Sequence, residues 1–269
     1  GEARFPAGAD RVMAALAPSL VAITFDMPYS VSGVTEKHYH GTGVIVDTQR
    51  GLVVVDRNTV PVSMGDVHLT FGGTVEVPGK VVFVHPLHNL AMISYDPASI
   101  GDTPVRAAAL SLQELRSGDD VWVVGLREDL KLMSQKTQVS SIDAVSFPLS
   151  STLRFSDSNL EVVSLVNAPH DYDGVLANGR GEVQALWSSF AYESQRTLQQ
   201  VNRGVPADVV AEMIDVVVRG KPLYSLQVEL ELQPLAGARK LGLPDAWVRR
   251  IEAHDPQRRQ VLAIDRTVA

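Results

Sequence analysis

The chain has 269 residues, 45% of them hydrophobic, so it can bury the core of one large domain or of two smaller ones. Its formal net charge of −7 gives no electrostatic reason to expect nucleic acid or an anionic membrane as a partner. The absence of cysteine excludes disulfides, thiolate catalysis and cysteine-based metal sites. The longest apolar runs are too short to span a membrane.

Short β-rich runs dominate the chain after a linker at 1–9 and a short helix. The stretch "ADRVMAALAPS" predicts a helix in which Val12, Met13 and Leu16 share one face, and Pro18 ends it. Turn residues then separate six runs at intervals of about ten residues, which is typical of an antiparallel sandwich or barrel. The runs are SLVAITF, HGTGVIVD, GLVVVD, DVHLTF, GKVVFVH and LAMISYD.

A second β-rich set follows a linker-like stretch at 97–120. Its runs are DVWVVGL, KTQVSSID, LEVVSLV, GVLAN and EVQALWSSF, and we expect polar loops at 147–159 and 191–200. The stretch "PADVVAEMIDVVVRG" has helical spacing and ends at Gly220, a residue type favoured as a helix C-cap. We therefore predict two β-barrels side by side, at about 19–98 and 119–205, followed by a closing helix at 206–219.

The composition changes near residue 225. The segment from Leu226 onward holds seven basic and six acidic residues, whereas the rest of the chain is acidic. It predicts a strand in "YSLQVELELQPL", a helix around "AGARKLGLPDAWVRRIEA" and a strand in "RQVLAIDRTVA". This segment is too small for an independent core, so we expect it to be the beginning of another domain.

Several motifs contain residue types used in binding or catalysis, but each lacks part of what the chemistry needs. The Gly-rich "GTGVIV" continues as a strand rather than a helix, which disfavours phosphate binding and favours close strand approach. The histidines of "HYH" (38–40) and "HPLH" (85–88) have no carboxylate spaced to complete a metal site. The "DYDG" at 171–174 lacks the remaining ligands of a calcium loop. Ser188 and Ser189 have neither a recognisable base nor an oxyanion hole, so we interpret them as structural and predict no metal or cofactor.

Six stretches, in order across roughly residues 15 to 215, resemble the HtrA/Deg family of trypsin-like serine proteases. They are LAPSLVAITF, GTGVIVDTQRGLVVVDRNTV, HPLHNLAMISYD, LRSGDDVWVVGL, NAPHDYDGVLANGRGEVQALW and NRGVPADVVAEMI. The resemblance implies an all-β fold of two chymotrypsin-like antiparallel barrels, with short helices at either end.

The residues that match the family's catalytic positions are all of other types. Asn58 stands at the position of the His general base, Asn89 at that of the Asp and Tyr172 at that of the Ser nucleophile. The flexible glycines of the oxyanion loop are matched by His170 and Asp173. An amide cannot act as a base, a tyrosine is too large for the place of a serine, and a carboxylate would oppose a developing oxyanion. The resemblance therefore implies no catalytic residue in this segment.

The similarity is greatest to the degenerate second protease domain of Deg7-type members from plants and algae, with fungal nuclear Nma111-type members as the next relatives. It implies a protease-like domain at 10–222 and the N-terminal part of a PDZ domain at 223–269, in a longer endopeptidase whose active domain lies elsewhere. The "YSLQV" at 224–228 lies where a PDZ domain keeps its carboxylate-binding loop, without that loop's usual Gly. The plant-like features imply the chloroplast stroma, and a fungal-type relationship would imply the nucleus.

The resemblance also implies partners. HtrA-type domains trimerise through their N-terminal segments, so we expect a homotrimer that involves Phe5, Val12, Met13 and Leu16. Other domains of the same polypeptide and unfolded protein are further candidate partners. An alternative role remains open, in which the old cleft still holds an extended peptide by strand addition without cutting it.

Overall fold

The computed structural model describes residues 2–30, 37–146 and 158–267, which form two closed antiparallel barrels of six strands each and a smaller C-terminal unit. The strands are β1 (Leu20–Asp26), β2 (His38–Asp47), β3 (Leu52–Val55), β4 (Asp66–Phe71), β5 (Val75–Val84), β6 (Ala91–Tyr95), β7 (Asp120–Arg127), β8 (Leu132–Ser146), β9 (Ser158–Leu165), β10 (Tyr172–Ala177), β11 (Val183–Ser194), β12 (Thr197–Pro206), β13 (Val228–Pro234) and β14 (Gln260–Thr267). The α-helices are α1 (Arg11–Leu16), α2 (Ala207–Arg219), α3 (Leu235–Lys240) and α4 (Asp245–His254). The fold predicted from the sequence is confirmed.

The first barrel has the strand order β1-β2-β3-β6-β5-β4 and a core built by simple alternation. In β4, for example, Val67, Leu69 and Phe71 point inwards and the residues between them are more exposed. Phe71 packs edge-on against Tyr95 of β6, with ring centroids 4.9 Å apart.

The second barrel has the order β10-β11-β12-β9-β8-β7 and its own apolar interior, which includes Val123, Leu176 and Trp187. A further apolar cluster joins the two barrels. It contains Leu90 and Met92 from the first barrel together with buried residues of the second. Each barrel therefore has its own interior, and a third apolar cluster lies at the junction between them.

Both flanking helices pack onto this junction. Asp10 accepts a hydrogen bond from the backbone N–H of Met13 at 2.7 Å and caps α1, which directs Val12 and Leu16 into the shared cluster. Helix α2 adds Met213 to the same cluster and ends, as predicted, at a left-handed Gly220.

The prediction of a loop at 191–200 is wrong. The end of β11 and the start of β12 occupy this stretch and pair in a long hairpin whose turn is Gln195–Arg196. Both turn residues have positive φ, of 51° and 64°, without the Asn-Gly or Gly signal that usually marks such a turn. The outer part of the hairpin is exposed, which is why its sequence is polar. In the other predicted loop, 147–159, residues 147–157 lie outside the described residues and β9 begins at Ser158.

The C-terminal unit has the two predicted strands, β13 and β14, paired antiparallel. The single helix predicted between them is two helices, α3 and α4. They are separated because Gly242 adopts a left-handed φ of 102° and Pro244 begins a new helix as its N-cap. An ion pair of 3.0 Å between Arg258 and Glu161 connects this unit to the second barrel. Among the helices of the described ranges, none has both the length and the apolar character to cross a membrane.

Candidate functional site

Two asparagines of the first barrel meet one serine of the second barrel at the junction. Asn58 follows β3, Asn89 precedes β6 and Ser189 lies in β11. The Nδ2 of Asn58 donates to the Oγ of Ser189 at 2.9 Å, and the Nδ2 of Asn89 donates to its carbonyl oxygen at 2.7 Å. Ser189 is thus the common partner of the two positions that the sequence comparison singled out in the first barrel.

The amide of Asn89 is used at both ends. Its Oδ1 accepts from the backbone N–H of Arg57 at 2.8 Å, while its Nδ2 faces the carbonyl of Ser189. Asn89 is 1% exposed, so the two bonds are not shared with solvent. This environment requires one acceptor and one donor, which an amide has and an ionised carboxylate does not.

Asp56 brings a carboxylate close to the same serine. Its Oδ2 accepts from the backbone N–H of Ser189 at 2.9 Å and lies 3.4 Å from the Ser189 Oγ. Its Oδ1 accepts from the backbone N–H and the hydroxyl of Thr59, at 2.8 and 2.7 Å. A carboxylate is therefore within reach of a serine hydroxyl, but Ser189 is only 4% exposed and its Oγ already accepts from Asn58. These contacts form a closed buried network rather than an open nucleophile and base.

Tyr172 does not face the two asparagines. It begins β10, and its ring lies inside the second barrel among residues that include Val123 and Trp187. Its hydroxyl donates to the carbonyl oxygen of Val123 at 3.3 Å, and burial raises the pKa of the phenol. The structure therefore brings Asn58 and Asn89 together through Ser189 and places the Tyr172 side chain in the barrel core.

Asp173 points to the other side of β10, towards the first barrel. Its Oδ1 accepts from the backbone N–H of Thr42 in β2 at 2.8 Å. The hydroxyl of Thr42 in turn donates to the carbonyl oxygen of Leu126 in β7 at 3.2 Å and accepts from its N–H at 3.0 Å. Asp173 as a residue is partly exposed, but this carboxyl oxygen is directed inwards onto a buried backbone. His170, which precedes the strand, is exposed.

The two carboxyl groups at the junction have shifted protonation equilibria. Burial raises the pKa of Asp173 well above its usual range, and the nearby charge of Asp56 raises it further, against the opposing effect of the Thr42 bonds. Burial likewise raises the pKa of Asp56, although the bonds from Ser189 and Thr59 act in the opposite direction.

The remaining motifs are separated in the structure. "GTGVIV" lies inside β2, where an added Cβ at Gly43 would fall 2.5 Å from Val53, so the close-approach interpretation is confirmed. His38 contacts Asp26 at 2.5 Å, and the ring nitrogen Nδ1 of His85 accepts two backbone N–H bonds. Over the described ranges, no three His, Asp or Glu side chains are grouped so as to hold a metal ion.

The two carboxylates of "DYDG" are also separated, because Asp171 precedes β10 and Asp173 lies within it. Asp171 faces outwards, 3.9 Å from the Nε of Arg127, whereas Asp173 faces the other barrel. Ser188 is fully buried, and its hydroxyl has only a 3.5 Å contact with the carbonyl of Leu186. It has no base beside it in that contact.

The four residues expected to mediate oligomerisation have different surroundings. Val12 and Leu16 are 3% and 1% exposed because they pack into the chain's own core. Phe5 and Met13 are partly exposed and border a groove of about 580 Å³ next to β7 and β8. Of the four, only these two have surface to offer a partner.

The residues that the sequence did not single out are Asp56, Thr59 and Thr42. An Asp after an apolar strand, with a Thr three residues later, is a recognisable turn signal that could have suggested the Asp56–Thr59 bonds. The bond between Thr42 and Asp173 has no local signal, because 131 residues separate the two positions.

Two antiparallel six-stranded barrels, joined by a polar junction and followed by a helix on the shared core, define a trypsin-like protease fold. The HtrA-type protease AlgW, in a structure with a tripeptide, is similar with a TM-score of 0.61 and 15% identity, over 86% of this chain and 71% of that one. At this level of identity the similarity concerns the fold alone.

Sequence comparison adds the family. The chain is 34% identical to Protease Do-like 7 of Arabidopsis thaliana, over 98% of this chain and 27% of the relative, and 30% identical to the pro-apoptotic serine protease NMA111 of Phaeosphaeria nodorum, over 91% and 25%. No known family profile matches the sequence. The chain belongs to the HtrA/Deg family of serine proteases, and it spans about a quarter of the length of these curated relatives.

Proposed function

We propose that this chain is a catalytically inactive, protease-like domain that serves in scaffolding and self-association of a longer HtrA-type endopeptidase. In this proposal Asn58, Asn89 and Tyr172 stand where active relatives have the base, its orienting carboxylate and the nucleophile. A PDZ-like unit begins at 223, and the parent protein acts in the chloroplast stroma or, if it is of the fungal type, in the nucleus.

The observation that carries the proposal is the network around Ser189. Asn58 and Asn89 both act as donors to this residue, and neither amide can take up a proton from a nucleophile. Tyr172 is 7% exposed and its hydroxyl is directed to a backbone carbonyl inside the second barrel. The side chains of Asn58, Asn89 and Tyr172 thus bond to other parts of the fold, which supports a structural role for these three positions.

The Asp56 carboxylate lies 3.4 Å from the Ser189 hydroxyl, which is the arrangement within the site that most resembles a base beside a nucleophile. Inactivity should therefore be tested at Ser189. The native chain should be incubated with a fluorophosphonate probe and with fluorescent casein. We expect neither labelling nor hydrolysis above a heat-denatured control. Labelling that disappears in Ser189→Ala but persists in Ser188→Ala would overturn the proposal.

Self-association is supported by the partly exposed Phe5 and Met13, which border an apolar groove. Light scattering across a range of concentrations should give a mass of three chains, and Phe5→Asp should reduce it. Leu112→Asp, at an exposed apolar residue away from that groove, is the matched control. A monomer at high concentration, together with normal assembly of the longer protein when this domain is deleted, would contradict the scaffold role.

The alternative is a docking module that holds unfolded protein without cutting it. It is favoured by the pairing of β11 within the described residues. This strand pairs with β10 from Val183 to Trp187 and with β12 from Ala185 to Ser194, so its pairing with β10 ends before its pairing with β12. Against it, the N–H and C=O of Ser189 are already occupied by Asp56 and Asn89. Binding of reduced, unfolded casein to the native chain in fluorescence anisotropy would favour docking, and absence of binding would favour the scaffold.

A further inference from the structure

Each barrel contributes one carboxylate that accepts a hydrogen bond from the backbone of the other barrel. Asp56 of the first barrel accepts from the backbone N–H of Ser189 in the second, at 2.9 Å. Asp173 of the second barrel accepts from the backbone N–H of Thr42 in the first, at 2.8 Å. These reciprocal bonds connect β10 and β11 to the first barrel, so the junction depends on both acids.

The two acids converge on the same small region. The hydroxyl of Thr59 donates to the Oδ1 of Asp56 at 2.7 Å. A Cβ placed on Gly41 would lie 2.1 Å from that hydroxyl oxygen and 2.8 Å from the Oδ2 of Asp173. Only the missing side chain of Gly41 leaves room for both groups, and the electrostatic repulsion between the two carboxylates follows from this proximity.

The basic groups on the elements around the junction are directed elsewhere. The Arg57 guanidinium donates to the carbonyl oxygens of His85 and Pro61. Arg127 of β7 lies 3.3 Å from Asp129 and 3.9 Å from Asp171.

The basic groups of β2 and β12 also contact residues other than Asp56 and Asp173. His40 of β2 lies 3.9 Å from Glu128, and the Nη1 of Arg203 in β12 donates to the carbonyl oxygen of Asn202. The groups bonded to the two acids are the hydroxyls and N–H groups of Thr42, Thr59 and Ser189, which are neutral.

We propose that Asp56 and Asp173 together carry at least one proton and thereby form a pH-sensitive joint, which keeps the two barrels together and loosens when the proton is lost. Two ionised carboxylates in a region of low dielectric repel each other, and the repulsion falls when water enters or the barrels separate. Either movement weakens the two hydrogen bonds that cross the junction. These are the bond from the Ser189 N–H to Asp56 and the bond from the Thr42 N–H to Asp173.

The direction of the pH effect follows from the raised pKa of both groups. A carboxyl whose pKa is higher in the folded than in the unfolded chain adds stability that is fully present below its ordinary value, near 3.8. This contribution is lost as the pH rises through the folded value. The joint therefore tightens in acid and loosens in base.

The test is hydrogen exchange of single backbone amides in the native chain, from about pH 4 upwards to about pH 9, corrected for the intrinsic rate at each pH. We expect the protection of the Thr42 and Ser189 amides to fall about tenfold or more over this range, while that of Val53, in the first barrel's own core, stays constant. In Asp173→Asn, which removes one of the two acids, the pH dependence of the protection of Thr42 and Ser189 should be clearly smaller than in the wild type. Asp66→Asn, at an exposed aspartate of the same chain, should behave as wild type.

Infrared spectroscopy of the wild-type chain tests the proton directly and needs no variant to fold. A protonated carboxylic acid band should persist above the pH at which ordinary carboxyls ionise and should disappear as the pH rises further. The absence of this band, or pH-independent protection of both amides in the wild type, would overturn the proposal. Equal pH dependence in wild type and Asp173→Asn would do the same.

Discussion

Asn58 donates a hydrogen bond from its Nδ2 to the Oγ of Ser189 over 2.9 Å, and this bond crosses from the first barrel to the second. Here the junction is occupied by amide, hydroxyl and carboxyl groups that bond to one another. Their contribution to the free energy of unfolding can be measured by substitution.

Ser189→Ala should destabilise the chain by about 1–3 kcal/mol, because it leaves a partly buried amide N–H of Asn58 without its acceptor. The adjacent Ser188 is the matched control, since it is equally buried but its hydroxyl has only the 3.5 Å contact with Leu186. Urea unfolding of both variants measures the difference. Equal losses for the two serines would show that the Asn58 bond contributes nothing of its own.

Tyr172→Ser should cost about 3–5 kcal/mol because it removes a ring from the core of the second barrel. Tyr172→Phe keeps the ring and loses only a 3.3 Å bond to Val123, so it should cost about 1 kcal/mol or less. Thermal and urea unfolding report both values. A Ser variant as stable as the Phe variant would mean that the ring does not support the barrel.

The barrels could be predicted from the sequence because turn residues separate short β-rich runs at intervals of about ten residues, and some runs, such as "DVHLTF" (66–71), also alternate in burial. The closing helix was equally clear, since its apolar spacing and Gly220 cap are local features. The hairpin at 195–196 could not be predicted, because its turn uses two non-glycine residues with positive φ. The break at Gly242 and Pro244 was present in the sequence, but helical periodicity on both sides concealed it.

The candidate site was predictable only at the positions that a family motif labels. Asn58, Asn89 and Tyr172 could be named in this way, but the direction of the Tyr172 side chain depends on where β10 begins. The bonds of Asp173 and Ser189 connect residues more than 130 positions apart, so no window of sequence contains both partners. Closing the two barrels against each other determines these contacts.

His85 should make the chain less stable in acid. Burial, together with the charges of His88 and Arg57, lowers the pKa of His85 from 6.5 to about 3, so its contribution to stability is present above about pH 6.5 and is lost as the pH falls from there. His85→Asn keeps an acceptor for the N–H groups of Leu87 and His88 and should remove part of the stability loss between about pH 6.5 and pH 4. Urea midpoints measured against pH, with His170→Asn as an exposed control, test this. An unchanged pH slope in His85→Asn would refute it.

Gly41→Ala should weaken the junction between the barrels. The added methyl group would lie 2.1 Å from the Thr59 Oγ1 and 2.8 Å from the Asp173 Oδ2, so at least one buried bond must break. We expect a loss of about 1–3 kcal/mol in urea unfolding. Gly179→Ala is the matched control, because its methyl group would meet only the Trp122 ring at an ordinary 3.5 Å and should change stability by about 0.5 kcal/mol or less. If Gly41→Ala is as stable as Gly179→Ala, the acids and Thr59 are not packed as tightly around Gly41 as the distances require.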